Sequence, residues 1–193
     1  MNITRTYTMT TRSAAAAETR RRILHATFEL SCEKLTPDVS LGDVARRSEV
    51  SVQTILRHFG SRDALIDALW EFSRVEITRE RLAPAGDIRA AVTHIFDHYE
   101  HRGEWVRMLL TQEHADERAR FAVRQGRAVH RAWVEATFGP QLEGRSVRER
   151  DALVDLLVVA TDIYTWTLLR RDRGLDRPVA EDRVGTLVHK VLD

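Results

Sequence analysis

Gln53, Thr54, Arg57 and His58 stand in the segment VSVQTILRHFGSRDAL, residues 50–65, interleaved with the apolar Val50, Ile55 and Phe59. An amide, a hydroxyl, a guanidinium and an imidazole are the groups that read base edges and phosphates. Glutamine can pair in bidentate fashion with adenine, and arginine with guanine or a phosphate. Read as a helix, the segment buries its apolar residues and leaves these four outside. It stops at Gly60 after about two turns, long enough for a recognition helix, because the major groove receives only its first turns.

Other chemistry is sparse. His94, His98 and His101 are spaced by four and three, as metal ligands on a helix would be. Ile88, Ala91, Val92, Ile95 and Tyr99 define a buried face roughly 120° from that stripe, at 100° per residue. The three histidines are therefore read as a solvated or inter-helix polar face, and no metal is expected. There is no pair of Glu-x-x-His motifs and no glycine-rich phosphate loop, and Cys32 is the only cysteine. No catalytic residue and no cofactor are expected, and an internal disulfide is excluded.

The elements that must carry the polar residues are helices. Glycine and proline are few, and apolar residues recur at helical spacing almost throughout, so the fold class is all-α. Helices are expected over about 15–35, 40–48, 51–59, from Ser61 to the break at Pro84 and Gly86, and over 87–102, 104–112, 115–138, 146–171 and 180–192. Ser40, with Asp43 three residues on, has the form of a helix cap, as do Ser51 and Ser61. Residues 40–59 thus read as helix, short turn, helix, with Val44 and Ala45 facing Val50, Ile55 and Phe59. The fourth helix has two apolar stripes, one through Leu65, Ala68, Leu69 and Phe72, the other through Ile66, Trp70 and Ile77. Leu153, Leu156, Leu157, Ala160, Tyr164 and Leu168, with Val184, Leu187, Val188 and Val191, form stripes suited to a four-helix dimer interface.

Charge is unevenly spread. The chain has 193 residues and a net charge of +1, so it is not a uniformly basic nucleic-acid coat. Residues 1–62 carry ten Lys and Arg against six Asp and Glu, whereas the remainder carries twenty against twenty-three. No signal-peptide core is visible near the start, and no apolar run approaches the roughly 18 residues of a membrane span. A soluble, cytoplasmic protein is expected, with no membrane partner.

The stretch LGDVARRSEVSVQTILRHFGSRDAL, with Thr19-Arg20 through Ile23, resembles the signature of the tetracycline-repressor (TetR) family of bacterial transcription regulators. The resemblance implies an N-terminal three-helix helix-turn-helix DNA-binding domain (15–61, preceded by a basic arm, 1–14). A C-terminal helical ligand-binding and dimerisation domain (62–193) would follow. It implies a homodimer that binds a double-stranded DNA operator, most simply a repressor released by a small apolar effector. The DNA-contacting set is then Ser40, Ser51, Val52, Gln53, Thr54, Arg57, His58 and Arg62. Effector-lining candidates are Phe96, Tyr99, Trp105, Met108, Gln112, Phe121, Gln125, Trp133 and Tyr164. Glu49 replaces the glycine usual in the turn, Leu56 the usual aromatic, Arg62 the usual lysine and Leu35 the glycine that usually ends the first helix. Glu49 strains the turn if its φ is positive. The competing reading is a helical-bundle carrier or enzyme that does not bind DNA.

Overall fold

A computed structural model describes residues 3–34 and 38–193, the side chains of 3–12 excepted. Leu35 and the arm's Arg5 and Arg12 side chains lie outside the described residues. The chain forms α1 (Ile3–Glu33), α2 (Leu41–Ser48), α3 (Val52–Phe59), α4 (Arg62–Glu80), α5 (Ile88–Gln112), α6 (Glu117–Thr137), α7 (Val147–Thr161), α8 (Ile163–Thr167) and α9 (Arg177–Leu192). Among the described residues there is no strand, and the fold is all-α. The backbone of α1 is helical well before the expected start at Ala15. Two compact units divide inside α4, between Ser73 and Arg74.

In the first unit the caps are local and legible. Ser40 Oγ accepts from Asp43 N at 3.1 Å, Ser51 Oγ from Thr54 N at 3.1 Å, and Ser61 Oγ from Ala64 N at 3.1 Å. Each satisfies an amide that has no partner in its own helix. Lys34 and Ser40 also donate to the Asp43 carboxylate, and these bonds hold its carboxyl well below the usual range. Ile23, Leu24, Leu30, Val39, Val44, Ala45, Ile55 and Leu65 form one buried cluster, with Val50, Phe59, Ala68 and Phe72 packed on its edge. A buried aliphatic side chain contributes about 1.5–3 kcal/mol. The seven larger ones can therefore fix helices as short as α2 and α3.

The second unit departs from expectation in three respects. The break expected near Gly103 does not occur, and α5 runs unbroken to Gln112. Gly103 is used for proximity instead, because a Cβ there would meet the buried Trp166 ring of α8 at 2.6 Å. The expected helix 146–171 is interrupted at Asp162, whose side chain caps α8 by accepting from Tyr164 N at 2.9 Å. Beyond α8 the backbone passes through a π-helical turn, Leu168–Asp172.

The third departure concerns the stripes assigned to a dimer interface. Leu157, Val184 and Val188 are buried within the unit, in a cluster with Ile95, Phe96, Tyr99, Val134, Phe138 and Trp166. They close the core of the single chain, while Leu156, Val159, Tyr164, Leu168 and Leu187 remain exposed. The apolarity of 147–172 has the same origin. The stretch is long and apolar enough by composition to cross a membrane, contrary to the expectation that no run approaches that length. Yet it is broken at Asp162 and supplies Val154, Leu157, Ala160, Ile163 and Trp166 to the core.

Candidate nucleic-acid interface

α3 is held at both ends. Ser51 caps its first turn, and Ser51 Oγ also lies 3.0 Å from Thr54 Oγ1. At the far end Gly60 closes the helix with φ 81, a conformation that costs other residues strain. Arg20 of α1 donates from its Nη1 to the His58 carbonyl at 3.0 Å, and its guanidinium lies 4.2 Å from the centroid of the Phe59 ring. A cation on the last carbonyls of a helix is favourable. Arg20 thus fastens the end of α3 to α1.

Ile55 is wholly buried beneath α3, whereas Ser51, Val52, Gln53 and Arg57 are exposed and Thr54 and His58 half-buried. Ser40, exposed, opens α2. One face of α3 therefore presents an amide and a guanidinium on a rigid support. Arg62, expected among the DNA-contacting residues, also makes a bond within the unit. It is half-buried, and its Nε donates to the Val39 carbonyl at 3.0 Å, so it also fastens the start of α4 to the segment before α2.

The turn between α2 and α3 rests on Glu49, with φ 54 and ψ 43, the one non-glycine residue with positive φ among those described. Its amide donates to the Ala45 carbonyl, so the left-handed turn closes α2 as a glycine would.

Residues 23–69 match the model of the bacterial regulatory proteins of the tetR family. That interval spans the capped α2–α3 pair and its supporting core. The chain carries a tetR-family domain. Over 76 residues it is 40% identical to the HTH-type transcriptional repressor KstR of Mycobacterium tuberculosis (strain ATCC 25618 / H37Rv), covering 38% of this chain and 34% of that protein. The KstR repressor of Mycolicibacterium smegmatis (strain ATCC 700084 / mc(2)155) is 38% identical over 76 residues, 38% of this chain and 37% of that one. The matches thus span about a third of the relatives' length. The whole fold is similar to that of a tetR-family transcriptional regulator from Streptomyces coelicolor, with a TM-score of 0.67 at 14% identity over 91% of this chain and 79% of that chain. It is also similar to a transcriptional regulator from Rhodococcus sp. Rha1, with a TM-score of 0.64 at 16% identity over 90% and 95%.

Within the tetR-family domain the turn yields a prediction. A left-handed conformation costs a residue with a Cβ about 1–2 kcal/mol, part of which glycine returns as entropy of the unfolded chain. Glu49→Gly is expected to raise the stability of the full chain by about 0.5–1 kcal/mol, measured by urea unfolding. Glu49→Ala removes the same charge but keeps the strain and should not stabilise. Equal midpoints for the two variants would mean that charge, not φ, decides.

In the second unit the nine effector candidates differ in burial. Phe96, Tyr99 and Trp105 are buried, Met108, Gln112 and Trp133 half-buried, and Phe121, Gln125 and Tyr164 exposed. Several polar groups among them are already satisfied. Tyr99 Oη donates to the Thr161 carbonyl at 3.2 Å, Gln112 Nε2 to the Met108 carbonyl at 2.9 Å, and Trp133 Nε1 to the Arg81 carbonyl at 2.8 Å.

The unit instead buries a charged network. Arg81, the residue after α4, donates from Nη2 to His98 Nε2 at 2.7 Å. An arginine can only donate, so Nε2 is the acceptor and the proton sits on Nδ1, which donates to Glu80 Oε2 at 2.9 Å. Glu80 Oε1 accepts from Arg102 Nη2 at 3.0 Å. Burial raises the Glu80 carboxyl, but the bonds from His98 and Arg102 outweigh it and bring it down to about 2. Burial first, then the Arg81 charge, lowers His98 to about 3, so the ring is neutral. Of the solvated or inter-helix face expected for the histidines, His98 takes the inter-helix form, 2% exposed with both ring nitrogens engaged. His94 Nδ1 meets the Leu82 carbonyl, and His101 alone of the three is exposed.

A signal for this network was present. Ala91, Ile95, His98, Arg102, Trp105 and Leu109 follow one another at alternating spacings of four and three and are all buried. His98 and Arg102 occupy positions of the core stripe itself.

Proposed function

We propose that the chain is a homodimeric, DNA-binding transcriptional regulator, a cytoplasmic repressor released from a palindromic operator by a small, mainly apolar effector. One observation carries this reading: a capped two-turn helix, anchored through the fully buried Ile55, presents Gln53 and Arg57 to solvent. The tetR-family domain and the repressors it resembles support it. In this reading residues 15–61 are the reading head, with Ser40, Ser51, Val52, Gln53, Thr54, Arg57, His58 and Arg62 against DNA, and residues 62–193 bind effector and partner subunit. A single short recognition helix covers too few base pairs for selectivity, which favours two heads about 34 Å apart. The exposed Leu156, Val159, Tyr164, Leu168 and Leu187 supply an apolar face for the second subunit. An effector that binds one spacing of the heads better than the other weakens DNA binding by its differential affinity, and operator DNA must weaken effector binding equally.

A gel-shift titration against the DNA flanking its own gene tests the reading. Binding should fall steeply with salt, because phosphate contacts release counterions. Gln53→Ala should cost about 1–3 kcal/mol at one base pair per half-site, with other positions unaffected. An equal loss on operator and scrambled DNA would refute base reading by Gln53. Arg62→Ala should weaken all sequences alike and, because of its bond to Val39, also lower the melting temperature.

A further inference from the structure

Arg81 is a buried cation that no carboxylate neutralises directly. It is 7% exposed, and among the described residues no acid stands within ion-pair distance of it. Its one side-chain hydrogen bond goes to the neutral His98, its Nε has no partner, and its guanidinium lies 5.6 Å from the centroid of the Tyr99 ring. The two acids whose charge it feels are committed elsewhere. Glu80 is shared by His98 and Arg102, and Asp162 accepts from the Tyr164 amide at the break between α7 and α8. Burying a guanidinium in this state is costly, and a buried charge ordinarily has a paired partner. Tyr99, His130 and Trp133 supply aromatic surface, with His130 stacked on Trp133 at 5.5 Å and meeting Thr161 Oγ1 at 3.2 Å.

We propose that Arg81 is the anchor for an acidic head group, so that the effector is an apolar monocarboxylic acid whose carboxylate takes the guanidinium fork. This deepens the effector reading above and rests on it. The planar fork matches a carboxylate in bidentate fashion, and a charge-assisted pair in a site poor in water is strong. The position suits regulation as well. Arg81 follows directly on Glu80, the last residue of α4, whose carboxylate is fastened to α5 through His98 and Arg102. An acid drawn to Arg81 competes with its bond to His98 and so loosens the fastening at the end of α4.

The test uses the full chain and straight-chain and aryl-alkyl monocarboxylic acids of six to sixteen carbons, each paired with its primary amide. Calorimetry and thermal shift measure binding, and gel shift on the flanking DNA measures release. At least one acid should bind at least about tenfold more tightly than its amide and release the DNA. Arg81→Met should lose that preference, and Arg81→Lys, which keeps the charge without the fork, should retain part of it. The acid-to-amide comparison on the unmodified chain does not depend on any variant folding. Equal binding of acid and amide, or binding of neither, overturns the carboxylate proposal. Release of DNA by amides and acids alike would leave the effector reading standing, whereas absence of any shift on DNA before addition would bring down the regulator reading itself.

Discussion

Leu157→Arg is expected to unfold the second unit, whereas the pair Leu156→Arg and Val159→Arg leaves it folded and separates the subunits of the proposed dimer. The three residues lie on one helix and differ in what covers them. Leu157 is 0% exposed, within the cluster formed with Phe96, Tyr99, Trp166 and Val188. A guanidinium there would be buried without a carboxylate, and the larger side chain would displace packed neighbours. The loss should exceed about 4 kcal/mol, a large share of the roughly 5–15 kcal/mol that holds a domain folded. Leu156 and Val159 are 52% and 64% exposed in the single chain, so arginine there costs little unless a second subunit covers them. Circular dichroism melting should separate the two cases. Sedimentation equilibrium of the double variant should give monomers, and its operator affinity should fall on the order of 100-fold as the two heads lose their linkage. A double variant that stays dimeric would place the interface elsewhere. A normally melting Leu157→Arg chain would contradict the core described here.

Gly103→Leu should cost about 3 kcal/mol, although leucine is the better helix former by nearly 1 kcal/mol. The loss comes from Trp166. A Cβ at position 103 would lie 2.6–2.7 Å from two atoms of its ring, and larger side chains reach further into the same space. The ring has little freedom to retreat. Its Nε1 donates to Glu100 Oε1 at 3.0 Å, the Tyr99 ring lies 6.0 Å away, and the Arg171 guanidinium covers it at 4.4 Å. Gly126→Leu on α6 is the control, because a Cβ there meets nothing within 4 Å and gains the same helix propensity. Chemical denaturation should show the first variant weakened and the second unchanged or strengthened. Equal effects at the two glycines would show that Trp166 yields.

The sequence by itself determined the elements of the reading head, because their determinants are local. A serine before each short helix, Gly60 after the second, and the spacing of Val44, Ala45, Ile55 and Phe59 act over a few residues, and the caps form as those residues dictate. The same locality allowed the strain at Glu49 to be stated as conditional on φ, a quantity only the folded turn supplies. What tertiary structure alone decided lies where a residue's partner is remote in sequence. Gly103 reads as a helix breaker until Trp166, far along the chain, fills the space it leaves. Leu156 and Leu157 belong to one apolar stripe until packing against α9 buries the second and leaves the first outside. Arg20 and Arg62 read as two more basic residues until the His58 and Val39 carbonyls are seen to receive them. His98 and Arg102 show the limit most clearly. Their spacing puts them on the core stripe, but a charged residue on such a stripe is tolerable only where Glu80 and Arg81, at the end of another helix, arrive to accept and donate its hydrogen bonds.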